Sequence, residues 1–160
     1  MAVTFYDNLG LNEDIVLDWP FLERTGLLVH DQSRSDSIGN LITGMLAFFW
    51  PGGVYGVYLI SALEQYVNCP AADTTDLNFT AGDYSLACWF NWTIDEYTQI
   101  LMGKYVLNVS GWEVYLTNAG GLNYLTVRHN HGGVPARTAW YSTGWTPGTL
   151  HCFSMSRVGS

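Results

Sequence analysis

The amino-acid sequence predicts an all-β protein built from antiparallel strands. Its 17 glycines divide the chain into short segments, and many of these segments alternate apolar and polar side chains, as strands with one buried face do. No long segment has the 3.6-residue period of an amphipathic helix. Hydrophobic residues make up 48% of the 160 residues, which is enough apolar side chain to fill one core of sandwich size. These features favour packed sheets over helices.

Residues 1–12 are predicted to form an N-terminal arm, and residues 13–160 a single domain. The arm has neither the basic start nor the apolar core of a secretory signal peptide. Its candidate apolar anchors, which suit packing against another strand, are Phe5, Tyr6, Leu9 and Leu11. We therefore expect the arm to act in assembly.

The net charge of −8 is unevenly placed along the chain. The six Lys and Arg residues stand singly, so no basic patch is available to neutralise nucleic-acid phosphates. Seven acidic residues precede residue 37 and face only Arg24 and Arg34: Asp7, Glu13, Asp14, Asp18, Glu23, Asp31 and Asp36. A solvated acidic surface explains this pattern, and a cation-binding or partner-docking patch is the alternative.

Residues 38–63 carry no charged side chain and could be mistaken for a membrane span. Gly39, Gly44, the turn at 51–53 and Gly56 interrupt this stretch, whereas a transmembrane helix needs about 20 predominantly apolar residues in a row. Strand-like pieces lie between the glycines. We therefore predict no membrane span.

Residues 76–92 are a turn cluster that leads directly into an alternating strand. One face of this strand is apolar and mostly aromatic: Tyr84, Leu86, Cys88, Phe90 and Trp92. The other face carries Ser85, Ala87 and Asn91 together with Trp89. Alternation of this kind predicts a sheet strand with an aromatic core side.

A β-hairpin is predicted around the turn at residues 118–121. Strand-like segments at 112–116 and 122–128 flank this turn, and its two glycines can adopt the positive φ angles of a hairpin loop. Trp112, Val114 and Leu116 alternate and are expected to be buried. His129 and His131, two residues apart, could offer imidazoles to a metal, but we favour the simpler explanation that they form the polar end of a hairpin.

Several segments, in order, resemble laminin-G-like domains of the concanavalin A-like lectin and glucanase superfamily. The resemblance covers most of residues 14–157 and lies in these segments: 14–33 (a Trp-Pro-Phe step, then an Asp-x-Ser turn), 62–67, 76–92, 100–104, 111–116 and 147–157. It implies an antiparallel jelly-roll β-sandwich. The family continues beyond the position of Ser160 through further strands, so we expect the strand at 151–155 or its neighbour to be an edge that the arm or a partner's strand covers.

Calcium binding in some members of that family uses an acidic pair, whose place Glu64 and Gln65 take here. Asp31, Ser33 and Asp36 with the turn at Glu64 form the best available cluster of oxygen ligands for calcium. The sequence therefore makes calcium the one cofactor to consider.

Catalytic and disulfide patterns are weak in this chain. The glucanase branch cleaves glycans with carboxylates arranged around one bond, but the acidic pairs here, 13–14 and 95–96, are sequence neighbours that would point to opposite faces of a strand. Cys69, Cys88 and Cys152 match no zinc or disulfide framework. They are expected to be free thiols, with a disulfide between Cys88 and Cys152 as the alternative. We predict that the protein is not an enzyme.

Aromatic residues in a loop are the best lead to a binding function. Trp140, Tyr141 and Trp145 lie close together, and exposed aromatics can stack on sugars or anchor a protein interface. The alternative is that some of them, Trp140 above all, point into the core. We expect a structural subunit of a larger assembly, such as a homo-oligomer on the surface of a bacteriophage-like virion, or else an extracellular glycan-binding lectin module.

Overall fold

The protein is described by a computed structural model over residues 14–42, 56–60, 63–79, 82–93, 98–106, 109–131, 134–141 and 146–158, with the backbone alone at 131 and 134–141. These residues form mostly β-strands in antiparallel sheets, which confirms the all-β prediction. The chain separates into two compact units, Met1–Leu77 and Asn78–Ser160. The prediction that residues 13–160 form a single domain is not tested by this division into two units.

The first unit contains a small sheet with the strand order β1-β2-β3. Its strands are β1 (Leu28–Val29), β2 (Gly39–Ile42) and β3 (Tyr66–Asn68), followed by a 3-10 helix over Ala71–Leu77. Val29 and Leu41 are buried, and partly buried side chains pack around them: Trp19, Phe21, Val57 and Val67. A Cβ atom at Gly39 would lie 2.9 Å from both the Trp19 ring and the Val67 side chain. Glycine at this position therefore lets the strand approach its own core closely.

The described residues of the second unit form six strands in two sheets. They are β4 (Tyr84–Phe90), β5 (Gln99–Val106), β6 (Ser110–Ala119), β7 (Leu122–His131), β8 (Val134–Tyr141) and β9 (His151–Arg157). Strands β4 and β9 form a two-stranded sheet, and the other four follow one another in the order β5-β6-β7-β8. Neighbours in both sheets are antiparallel.

The predicted hairpin is confirmed as the turn between β6 and β7. Gly120 and Gly121 adopt φ angles of 64° and 79°, and the Gly121 N–H donates to the Asn118 side-chain oxygen at 3.2 Å. This turn fixes the register that pairs Leu116 with Leu125. Because the register continues along both strands, it also decides which charged residues lie opposite each other.

An aromatic layer joins the two sheets of the second unit. The residues predicted to face inward are buried: Tyr84, Leu86, Phe90, Trp92, Trp112, Val114 and Leu116. The Tyr84 ring meets the His129 ring of β7 edge-on at 5.7 Å. Phe79 stacks on Tyr84 at 4.4 Å and on Trp112 at 5.4 Å. This contact between two sheets through an aromatic layer agrees with an all-β core. The jelly-roll topology of the strands stays a prediction.

The uncharged stretch at 38–63 overlaps strand β2 at its start. Residues 43–55 and 61–62 of this stretch lie outside the described residues. Within the part of the chain that the structure describes, none of the helices has the length and apolar character needed to cross a bilayer.

Candidate functional site

Asp31, the centre of the predicted calcium cluster, accepts hydrogen bonds from its own chain. Its Oδ1 accepts from the backbone N–H groups of Asp18 at 2.8 Å and Ser33 at 2.9 Å. Its Oδ2 accepts from the Ser33 hydroxyl at 2.7 Å and from the Ser37 N–H at 2.9 Å. The carboxylate therefore ties three separate points of the chain together, which is a structural role.

The same region continues the hydrogen-bond network toward the 3-10 helix. The buried Ser37 donates its hydroxyl to the Asp73 carbonyl at 2.6 Å, and its own carbonyl accepts from the Trp19 indole N–H at 2.9 Å. Burial, and secondly the charge of Asp31, raise the pKa of the Asp18 carboxyl. The packing around Asp31 therefore makes the ionised form of the neighbouring Asp18 carboxyl less favourable.

The other predicted calcium ligands are placed differently from Asp31 and Ser33. Asp36 and Glu64 are exposed and adopt positive φ angles of 49° and 52°, which mark turns. Among the described residues, no three His, Cys, Asp or Glu side chains come together as metal ligands. A calcium site at Asp31, Ser33, Asp36 and Glu64 stays a prediction.

The predicted aromatic site lies on and after strand β8. Trp140 and Tyr141 occupy backbone positions opposite Leu125 and Tyr124 of β7, and Trp145 lies outside the described residues. The predicted assembly arm also lies outside them: Phe5, Tyr6, Leu9 and Leu11. The acidic pair at 95–96 is outside them as well.

A different aromatic residue is prominent on the described surface. Trp89 of β4 is 72% exposed and points away from the aromatic layer, on the side opposite Phe90. The register places Cys152 opposite Trp89, Ser154 opposite Ala87 and Ser156 opposite Ser85. We call this outward side of the two-stranded sheet the Trp89 face, defined by these exposed residues: Ser85, Ala87, Trp89, Cys152, Ser154 and Ser156.

The Trp89 face combines one large ring with small, uncharged neighbours. The hydroxyls of Ser85 and Ser156 lie 2.8 Å apart and hydrogen-bond across the strands. None of the six residues carries a charge at neutral pH, so covering this face would require no desolvation of an ionised group. The face is therefore chemically suited to contact with a protein surface or with another uncharged ligand.

The cysteines at this sheet are free thiols rather than a disulfide. Cys88 lies on the inner side of β4, opposite Phe153, whereas Cys152 lies on the outer side of β9. Burial, and secondly the neighbouring Cys152, raise the pKa of the Cys88 thiol to about 12. The two thiols consequently have different accessibilities, although their strands are neighbours.

His129, one of the two histidines considered as metal ligands, is part of the core. It is buried against Tyr84, and its Nε2 lies 3.0 Å from the Phe79 carbonyl oxygen. Because a carbonyl only accepts, this geometry requires a proton on Nε2. The hydrogen bond to the Phe79 carbonyl and the contact with the Tyr84 ring identify His129 as a packing residue.

A second group of polar residues is buried or half-buried in the four-stranded sheet, on the face away from Trp112 and Val114. Glu113 and Arg128 form an ion pair, with 6% and 17% of their side chains exposed. The Arg128 guanidinium lies 4.4 Å above the centre of the Tyr105 ring and 5.4 Å from that of Tyr115. We call these residues and a neighbouring asparagine the buried polar cluster: Tyr105, Glu113, Tyr115, Arg128 and Asn130.

Sequence signals existed for both of these features. The alternation of β4 places Trp89 on the outward face among small residues, where a large apolar indole is unexpected. The hairpin turn placed Glu113 opposite Arg128, since the same register pairs Leu116 with Leu125. The outward position of Trp89 and the pairing of Glu113 with Arg128 can therefore both be inferred from the hairpin turn and the alternation of side chains along a strand.

In comparison with known proteins, the chain matches no family model, no curated protein sequence and no solved structure.

Proposed function

We propose that this protein is a non-enzymatic recognition and assembly module with a jelly-roll β-sandwich fold. It would act as a subunit of a larger assembly, of the kind that decorates the capsid or tail of a bacteriophage-like virion. Its partners would be further copies of the chain or other protein subunits. The observation that carries the proposal is the Trp89 face, where a largely exposed indole stands on an uncharged sheet surface.

Exposed aromatic surface of this kind is typical of protein interfaces. Trp is enriched among the residues that contribute most to binding, because its large ring buries much apolar area with few rotatable bonds. The small side chains beside Trp89 leave room for a partner to pack against the ring. Other apolar side chains of the second unit are also more than half exposed: Ile100, Val106, Val109, Leu150 and Val158.

Charge distribution favours association through the second unit. Four acidic and four basic residues lie in Asn78–Ser160, so that unit is formally neutral. Ten acidic and two basic residues lie in Met1–Leu77, and this unit accounts for the whole net charge of −8. Like-charge repulsion between copies would thus arise from the first unit, while contact between second units is not opposed.

Sedimentation velocity over a range of protein concentrations tests the assembly proposal. We expect the wild-type chain to form species larger than a monomer, and Trp89→Ser to remain a monomer with unchanged circular dichroism. Ile100→Ser, which removes another apolar side chain that is 66% exposed, is the matched control and should assemble like the wild type. A wild-type chain that stays monomeric at every concentration, with and without its natural particle, contradicts the proposal.

Deletion of the predicted arm is a second, independent test of the same assembly. A variant that lacks residues 1–12 should lose solubility or fail to assemble if Phe5, Tyr6, Leu9 and Leu11 anchor the arm to a strand edge. A truncated chain that is still a well-folded monomer in light scattering, while the full chain is also monomeric, argues against the role of the arm.

Glycan binding is a second candidate function, and Trp89 favours it as well. An exposed flat ring on the same face as the hydroxyls of Ser154 and Ser156 offers an apolar platform and hydrogen-bonding groups on one surface. In this alternative the protein is a lectin module, with Trp140, Tyr141 and Trp145 as further predicted contacts and calcium at the predicted Asp31 cluster.

Titration of polysaccharide fragments against the protein separates the two candidates. Glycan binding should change the fluorescence of Trp89, should disappear in Trp89→Ser, and should leave the sedimentation coefficient at that of a monomer. The same titration with calcium and with a chelator tests the calcium prediction. No fluorescence change with any neutral glycan would leave assembly as the only supported role of the face.

A further inference from the structure

We propose that two copies of this chain pair through the outer edge of β4, so that their two-stranded sheets join into one four-stranded sheet. The inference rests on the proposed assembly function and names its partner and its contact. The partner is a second copy of the chain, bound strand to strand about a two-fold axis. The two Trp89 faces would then form one continuous surface.

The two-stranded sheet offers a strand edge for this contact. Strand β4 pairs with β9 along its whole length, and no other described strand pairs with either of them. Strand β4 therefore has a second side that no described strand covers. The N–H and C=O groups on such an edge are a template for the addition of another strand.

The edges of the other described sheets carry features that discourage strand addition. In the first unit, the edge strands β1 and β3 have only two and three residues. In the four-stranded sheet, the register of edge strand β5 shifts between Ile100 and Met102. Edge strand β8 contains Pro135 and Arg137. Short strands, bulges, prolines and charges all protect sheet edges from other chains.

Strand β4 has none of these protective features. It has seven residues, it pairs with β9 without a register shift, and its sequence contains neither proline nor a charged residue. Strand β9 is less suitable, because it begins with His151 and ends with Arg157. Antiparallel pairing of β9 with its own copy would place these two basic residues opposite each other. The comparison therefore selects β4 as the edge that another chain can join.

The sequence of β4 is complementary to itself in the antiparallel register centred on Ala87. In this register, Trp89 of one copy lies opposite Ser85 of the other copy, and the two Ala87 residues lie opposite each other. Each large ring thus meets a small, uncharged side chain on the outward face. The inward residues pair in the same way: Tyr84 with Phe90, and Leu86 with Cys88. A second copy of the chain therefore fits this edge.

The contact is expected to be weak by itself. Seven residues from each copy are fewer than the roughly 20–30 residues per side of a stable complex. Charge does not oppose the contact, because β4 is uncharged and the second unit is formally neutral. We therefore expect a concentration-dependent dimer, which further contacts of the Trp89 face would reinforce in the larger assembly.

Charge substitutions at the two-fold axis test this pairing in the full chain. Ala87 would face its own copy, so Ala87→Lys and Ala87→Glu each place two like charges directly opposite each other. Like charges in such positions destabilise strand pairing, and each variant alone should dimerise several-fold more weakly than the wild type in sedimentation velocity. An equimolar mixture of the two variants brings opposite charges together and should restore the dimer. Misfolded variants could not restore each other.

Ser154 provides the matched control, because it is exposed on the same face but lies on β9, opposite Ala87. In the joined sheet, three strand spacings of about 4.8 Å would separate the two Ser154 residues by roughly 14 Å. This separation exceeds the Debye length of about 8 Å at physiological salt. Ser154→Lys should therefore dimerise like the wild type.

The outcomes separate this inference from the proposed function. If the wild type associates and both Ala87 variants associate equally well, or if their mixture gives no rescue, the pairing of β4 with its own copy is overturned while assembly stands. That result is expected if the N-terminal arm or β9 of another copy covers the edge. A wild-type chain that stays monomeric at every concentration contradicts both proposals.

Discussion

Different interactions stabilise the two units of this chain, each within itself. In Met1–Leu77, short strands and turns are tied by a single carboxylate, Asp31, which accepts four hydrogen bonds from Asp18, Ser33 and Ser37. In Asn78–Ser160, strands of seven to ten residues pair with each other and meet through an aromatic layer. The first unit is strongly acidic, and the second is neutral.

In the proposed function, this difference would separate solubility from recognition within one chain. The net charge of the first unit opposes contact between the first units of different copies, while the neutral second unit carries the exposed Trp89. The comparison predicts that substitutions in the two units act on different properties.

The largest effect is expected when the two tryptophans of the second unit are compared. Trp112 is 4% exposed within the aromatic layer, so Trp112→Ala should lower the free energy of unfolding by about 3–5 kcal/mol. Trp89→Ala should change it by less than about 0.5 kcal/mol, because its ring is already largely in solvent. Urea denaturation of both variants gives the two numbers. Equal losses would mean that Trp89 is a core residue and not a recognition residue.

An intermediate effect is expected at the carboxylate of the first unit. Asp31→Ala leaves the N–H groups of Ser33 and Ser37 without their acceptor, and a buried unpaired donor costs about 1–3 kcal/mol. We expect a loss of about 3 kcal/mol for the region around it, measured by hydrogen exchange at the Ser33 and Ser37 amides. Asp73→Asn changes an exposed carboxylate nearby and serves as the control. Unchanged protection in Asp31→Ala would show that turns alone hold this region.

The smallest effect is expected at Asp18 and depends on pH. Its folded-state pKa is raised by burial and by Asp31, so the ionised carboxyl costs stability at pH 7, and this cost fades as the pH falls through the raised pKa. Asp18→Asn should therefore stabilise the protein by a few tenths of a kcal/mol at pH 7, since solvent screening keeps the term small. The difference between variant and wild type should vanish below about pH 3.8. A stabilisation that persists there would point to a cause other than charge.

The sequence predicted the second unit better than the first, for a physical reason. In β4 and β6 the inward-facing apolar side chains recur at every second position, and the hairpin turn at 118–121 sets the register locally. Burial of Tyr84, Leu86 and Trp112 follows from these short-range features. The exposure of Trp89 does not follow in the same way, because hydrophobicity alone assigns a large indole to the inside, and only the face pattern points outward.

The first unit depends on contacts between distant residues, which no local pattern contains. The Asp-x-Ser turn at 31–33 predicts a group of oxygen ligands, for which calcium is the expected cation. The hydrogen bonds that the carboxylate accepts come from Asp18, 13 residues earlier, and from Ser37, six residues later. The return of the chain to these positions is set by the packing of Trp19 and Val67 around Gly39, and this packing has no sequence period.

In the proposed assembly the Trp89 face is covered, and the reactivity of Cys152 tests whether it is. Cys152 is exposed opposite Trp89, whereas Cys88 on the inner face has its pKa raised to about 12 by burial and stays protonated near neutral pH. Mass spectrometry can follow the alkylation of both thiols in dilute and in assembled protein. We expect Cys152 to react several-fold more slowly in the assembly and Cys88 to react slowly in both states. Equal rates at Cys152 in the two states would contradict it.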